Sequence, residues 1–81
     1  MPMDIEIRYF AAARAAAGVS VAKSEPGNLS SILAQLCTEN PELARVIGQC
    51  SFLVDSVAVH DMDMPINAGS FIDVLPRFAG G

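Results

Sequence analysis

Five basic and nine acidic residues in a chain of 81, with 52% apolar and 17% charged, describe one compact domain and exclude a disordered or fibrous chain. A chain of this length buries only about 60 to 65% of the surface its unfolded form exposes, so most apolar residues serve one core and little is left for a catalytic pocket. A formal charge of -4 excludes nucleic acid and anionic lipid as partners, because phosphate binding needs clustered Lys and Arg.

The first segment, Met3 to Phe10, alternates Ile5, Ile7 and Tyr9 with Asp4, Glu6 and Arg8, the period of a half-buried strand. Ala11 to Ala17 is nearly all alanine around Arg14 and stops at Gly18, which predicts a short helix ended by a residue that tolerates positive φ. Val19, Val21 and Lys23 alternate with Ser20, Ala22 and Ser24 before Pro26-Gly27, a second strand to pair with the first. Asn28 is the expected N-cap of the main helix, whose Leu29, Ile32, Leu33, Leu36 and Cys37 trace one apolar stripe. Asn40-Pro41 breaks it and starts a shorter helix carrying Leu43, Val46 and Ile47 up to Gly48.

Phe52 to Val54 and Val57 to Val59 read as short strands around an Asp55-Ser56 turn, and Met62 to Gly69 as a connection. Phe71 to Leu75 is a last strand stopped by Pro76, with Ile72 and Val74 on its core side and Phe71, Asp73 and Leu75 on the other. Strands segregated around one long helix imply an α+β fold, a mixed sheet wrapped on that helix.

What rises above a generic domain is the tail. Gly80 and Gly81 follow a strand and a proline, making a narrow extended peptide without Cβ atoms, able to enter a cleft too tight for any side chain. The carboxylate at its tip is the group such a peptide delivers. A carboxylate is a poor electrophile and needs activation, for instance as an acyl-adenylate, by a partner carrying ATP. Phe71 and Leu75 on one strand face, next to Phe78, form a candidate docking patch. The bland alternatives are a frayed glycine-rich end and a patch covered by a helix or loop.

Phe10-Ala11 with Arg14 and Gly18, then Pro65-Ile66 ahead of Gly69, then Val74-Leu75-Pro76 ahead of Gly80-Gly81, resemble the small subunit of molybdopterin synthase, within the ubiquitin-like β-grasp sulfur carriers. The resemblance spans nearly the whole chain. It implies a β-grasp domain over residues 1–75, a mixed sheet of about four or five strands packed on one main helix with short extra helices, and an extended tail over residues 76–81. It implies that Gly81 is adenylated by an E1-like enzyme using ATP and converted by a sulfur donor to a thiocarboxylate. The large synthase subunit then receives the tail, and the sulfur passes to a pterin precursor of molybdopterin. By resemblance Gly80 and Gly81 carry the chemistry, Pro76, Arg77, Phe78 and Ala79 thread the partner's channel, and Phe10 and Leu75 lie near the interface. Ser70, Ala15 and Arg77 depart from residues common in that subfamily. Carriers for thiamine thiazole, cysteine or tRNA thiolation share the tail, and so does a ubiquitin-like modifier or interaction module.

No cofactor or metal is expected on the chain itself. His60 has no nucleophile pattern around it and reads as a surface turn residue. Asp61 and Asp63 fall short of a calcium ligand set, and Met62 and Met64 read as adaptable surface or gap-filling residues. Cys37 falls on the apolar helix stripe and Cys50 precedes a strand; with His60 they make no zinc set. Arg14 either anchors its helix or meets a partner. An acidic N-terminus and an apolar run interrupted by Arg14 point to a cytoplasmic chain, neither exported nor membrane-spanning.

Overall fold

The computed structural model describes residues 4–38 and 40–77. Ten elements follow in chain order: β1 (Ile5–Tyr9), α1 (Ala11–Ala17), β2 (Val21–Ser24), β3 (Gly27–Asn28), α2 (Leu29–Cys37), α3 (Pro41–Ile47), β4 (Cys50–Val54), β5 (Val57–Val59), β6 (Pro65–Ile66) and β7 (Phe71–Pro76). The main sheet has five strands in the order β2-β1-β7-β4-β5. Its central strand, β7, runs parallel to its neighbour β1, and every other pairing in it is antiparallel. This is the mixed α+β sheet expected from the segregated strands.

β1 buries alternate residues, and β4 does so from Phe52 onward, as the pleat requires. Ile5, Ile7, Tyr9, Phe52, Val54, Val59, Ile72 and Val74 face inward, where Ala13 of α1, Leu29, Ile32 and Leu33 of α2 and Leu43 of α3 complete one core. The helices form where their caps predict. Asn28 Oδ1 accepts from the Ser31 amide at 2.8 Å, and Asn40 Oδ1 from the Leu43 amide at 3.0 Å. Gly18 ends α1 at φ +81, a conformation that favours glycine.

Four local expectations change. β2 begins at Val21, two residues later than the alternation predicts, and β4 begins at Cys50, two residues earlier than Phe52. The Met62 to Gly69 connection holds a strand, β6, which pairs with β3 and buries Ile66; two residues are too few for periodicity to register. β7 continues through Pro76. Arg77 N–H donates to Gln49 O at 2.9 Å, so the proline's missing N–H points to the other side of the strand. There β1 has already ended, and no ladder bond is lost.

The β4–β5 hairpin turns on Asp55 at φ +50 and Ser56 at φ +72. Paired hairpins favour such a two-residue turn, but glycine is the residue that adopts it freely. Asp55 is held in place because its carboxylate accepts from Ser70 Oγ at 2.9 Å and from the Phe71 amide at 3.1 Å. Ser56 has no such compensation. Ser56→Gly is therefore expected to raise stability by about 0.5 to 1 kcal/mol, read as a higher urea midpoint at unchanged slope; a lower midpoint contradicts the strain.

Candidate functional site

The sheet has two unlike faces. All three helices contribute to the core on the inner face. On the outer face the register lines up Glu6 and Arg8 of β1, Phe71, Asp73 and Leu75 of β7, and Ser51 and Leu53 of β4. None of these joins the core cluster. The expectation that Ile72 and Val74 point inward and Phe71 and Leu75 outward holds, with Ile72 and Val74 both fully buried. Phe71 and Leu75 are half-buried, and four residues of strand set them about 13 Å apart on the same face.

Between them lies Asp73, only 7% exposed although it belongs to the outer face. Arg8, its partner in the parallel β1–β7 register, donates from Nε to Oδ1 at 2.6 Å and from Nη2 to Oδ2 at 3.1 Å. The same guanidinium lies over the Phe71 ring, 4.3 Å from its centroid. Hydrogen bonding to Asp73 pushes the Arg8 guanidinium further up, so it stays cationic. Sequence reading did not single out this cluster. Each residue was legible as an outward position of its strand, but their meeting depends on pairing between segments 65 residues apart.

At the far end of β7 the chain leaves the sheet. Phe10, 40% exposed, donates its amide to Val74 O at 3.2 Å, which sets it beside Leu75 and Pro76. The residue after it, Ala11, has φ +52, a strained setting for alanine that turns β1 sharply into α1. The structure thus gathers Phe10, Leu75, Pro76 and the exposed Arg77 at one end of the sheet and leaves Phe71 at the other. Phe78, Ala79, Gly80 and Gly81, the rest of the tail predicted over residues 76–81, lie outside the described residues.

The residues weighed for other chemistry stay apart. His60 and Arg14 are exposed. Asp61 Oδ1 accepts from the Asp63 amide at 2.9 Å, an ordinary turn, and no group of three metal-ligating side chains occurs among the described residues. Nor does any described helix have the length and apolarity to cross a membrane. Both cysteines are partly buried free thiols. Cys50 Sγ donates to Val46 O at 3.3 Å. Burial pushes both thiols up from the usual 9.0, which keeps them out of the reactive thiolate form. Burial, and secondarily Cys37, also pushes the Tyr9 phenol up from 10.0.

These raised values carry a sign. The folded chain keeps protons that the unfolded chain loses above about pH 9, so stability is full below that pH and falls as pH rises through the folded values. A urea midpoint that drops between about pH 7.5 and pH 10.5, less steeply in Cys50→Ser, is the expected result; an unchanged or rising midpoint contradicts it.

Comparison with known proteins agrees with this fold. Residues 7–81 match the model of the ThiS family. The chain is 30% identical, over 98% of its length and 100% of the relative's, to the molybdopterin synthase sulfur carrier subunit of Chlamydomonas reinhardtii. In fold it is similar to small archaeal modifier protein 1 of Methanosarcina acetivorans, with a TM-score of 0.84 at 19% identity, covering 100% of this chain and 99% of that one. It is similar also to a chain in the complex of subunits 1 and 2 of molybdopterin-converting factor from Helicobacter pylori, with a TM-score of 0.73 at 22% identity, covering 98% and 100%. A five-stranded mixed sheet packed on α2, matched over nearly its whole length, makes this chain a ubiquitin-like β-grasp protein, and it belongs to the ThiS family of sulfur carriers.

Proposed function

We infer that the chain is the sulfur-donating small subunit of a molybdopterin synthase. The observation that carries the reading is the end-to-end match to the algal sulfur carrier subunit. The chemistry fits what the tail offers. The Gly81 carboxylate attacks the α-phosphorus of ATP held by an E1-like adenylating enzyme, and pyrophosphate leaves. A sulfur nucleophile supplied by a donor protein then attacks the acyl carbon and expels AMP, leaving a thiocarboxylate on Gly81. That sulfur adds to a pterin precursor, water hydrolyses the bond between it and the acyl carbon, and the tail returns to a carboxylate. The chain binds no cofactor for these steps; the ATP is the partner's.

Delivery follows from the strand. β7 ends at Pro76, and Pro76, Arg77, Phe78 and Ala79 lead to the glycines through the channel of the large subunit. Phe10 and Leu75, brought together where β7 leaves the sheet, contact that subunit around the channel mouth, and Phe71 extends the contact along the outer face. The Helicobacter pylori relative, a complex of subunits 1 and 2, supports a large-subunit partner. The cytoplasm, where ATP and reduced thiols are available, is the compartment this chemistry calls for.

Intact-mass spectrometry of the protein from its native host tests the reading. One oxygen replaced by sulfur in the C-terminal peptide supports it, and an unmodified carboxylate after incubation with ATP, a sulfur donor and the cognate activating enzyme contradicts it. High-mass conjugates that vanish on deletion of Gly81 would reassign the chain as a protein modifier. Sulfur delivered to a thiazole, cysteine or tRNA precursor instead of the pterin would reassign its pathway.

A further inference from the structure

The Arg8–Asp73–Phe71 cluster is not needed to hold the sheet together. A bridge with one partner 40% exposed stabilises a fold by about 1 kcal/mol or less, and an apolar pair would fill the same two positions at least as well. What the cluster does is immobilise a cation. Asp73 fixes two donors of the guanidinium in a fork, and the Phe71 ring fixes its plane. The donors on Nη1 have no hydrogen-bond partner among the described residues and are left for an acceptor above the sheet. The side-chain entropy that usually weakens an arginine contact has already been lost.

We propose that Arg8 is the polar recognition point of the outer sheet face, taking a carboxylate or main-chain carbonyl oxygen of the large synthase subunit as that subunit covers Phe71 and Leu75. Two observations select this occupant. Asp73 lies on the strand that delivers the tail, about 13 Å of extended chain before Arg77, so a protein that swallows residues 78–81 stands over the same strand. The charges of the face also single out one donor. In a chain of net charge -4, Asp73 is already neutralised by Arg8, and the other outer-face carboxylate on β1, Glu6, lies 3.6 Å from Lys23. The guanidinium edge is thus the charged donor offered outward between Phe71 and Leu75. Asp73 is a positioning residue and acts through Arg8.

This rests on the proposed function, since the partner is the synthase subunit. The test is calorimetric binding of the whole chain to the separately purified large subunit of the same organism. Arg8→Ala alone leaves Asp73 buried without its cation and risks the fold, so the decisive variant is Arg8→Thr/Asp73→Thr, a neutral cross-strand pair suited to a sheet. The double variant is expected to keep the wild-type circular dichroism and urea midpoint while binding about tenfold to a hundredfold more weakly. Arg8→Lys, which keeps the charge but not the fork, is expected to fall between. With chemically thiocarboxylated chain, sulfur transfer should show a raised KM at unchanged kcat, which a merely structural role would not give. Double-variant binding within about threefold of wild type overturns the proposal alone. Wild-type chain that does not bind the large subunit overturns the synthase reading as well. Self-association of the wild type that the double variant abolishes assigns the face to a second copy and also overturns it.

Discussion

Deleting Gly81 is expected to abolish sulfur transfer while leaving the urea midpoint unchanged. Among the described residues the buried core runs from Ile5 to Val74, and Gly81 has no side chain to bury, so removing it is expected to change stability by less than about 0.5 kcal/mol. The chemistry has no such tolerance. Deletion moves the reacting carboxyl back by one residue, roughly 3.3 Å, and a misplacement of even about 1 Å can cost on the order of a hundredfold in rate. Adding an alanine beyond Gly81 should be equally damaging, because the new carboxyl lies one residue further on and belongs to a residue with a Cβ. Gly80→Val should spare the fold and block entry to a narrow cleft. Transfer to the pterin precursor, followed with purified partners, measures all three. A deletion variant that still transfers sulfur would remove the tail from the mechanism.

Ile72→Ala and Leu75→Ala, three residues apart on one strand, are expected to fail in opposite ways. Ile72 has no solvent exposure and sits at the centre of the sheet between its partners Ile7 and Val54. Truncating it removes buried methyl groups and leaves a cavity, a loss of about 3 kcal/mol. The whole stability of a domain of this size is only on the order of 4 to 12 kcal/mol. The Ile72→Ala chain should therefore lie close to unfolding, with any loss of sulfur transfer following from the missing native population. Leu75 is half-buried on the outer face, where truncation should cost about 1 kcal/mol or less in stability yet weaken binding to the large subunit. Denaturant titration and binding measured on both variants separate the effects. If Leu75→Ala lost as much stability as Ile72→Ala, the assignment of the two faces would be wrong.

The contrast shows how much of the site is written locally. Alternation in Ile5 to Tyr9 and in Phe71 to Leu75 is enough to assign each side chain to a face, because the pleat has a period of two and burial acts on one side. The α2 stripe and the caps Asn28 and Asn40 are equally local, since each cap bonds an amide only three residues away. The Gly80-Gly81 dipeptide needs no fold to be noticed. Pro76 shows the limit of such rules. The local rule makes it the stop of the last strand, yet the strand carries it, because whether a missing N–H matters depends on which neighbour lies on that side.

Chain order by itself therefore determined an α+β domain, its long helix, the inward and outward residues of its strands, and the glycine tail with the activated-carboxylate chemistry it suggests. Only the tertiary structure decided that β1 lies parallel against β7, that β6 pairs with β3, that Phe10 stands beside the end of β7, and that Arg8 closes on Asp73 over Phe71. The physical reason is common to all four. Each contact joins segments far apart along the chain, and its register is set by which alignment buries the whole inner face at once, a condition that no window of neighbouring residues contains.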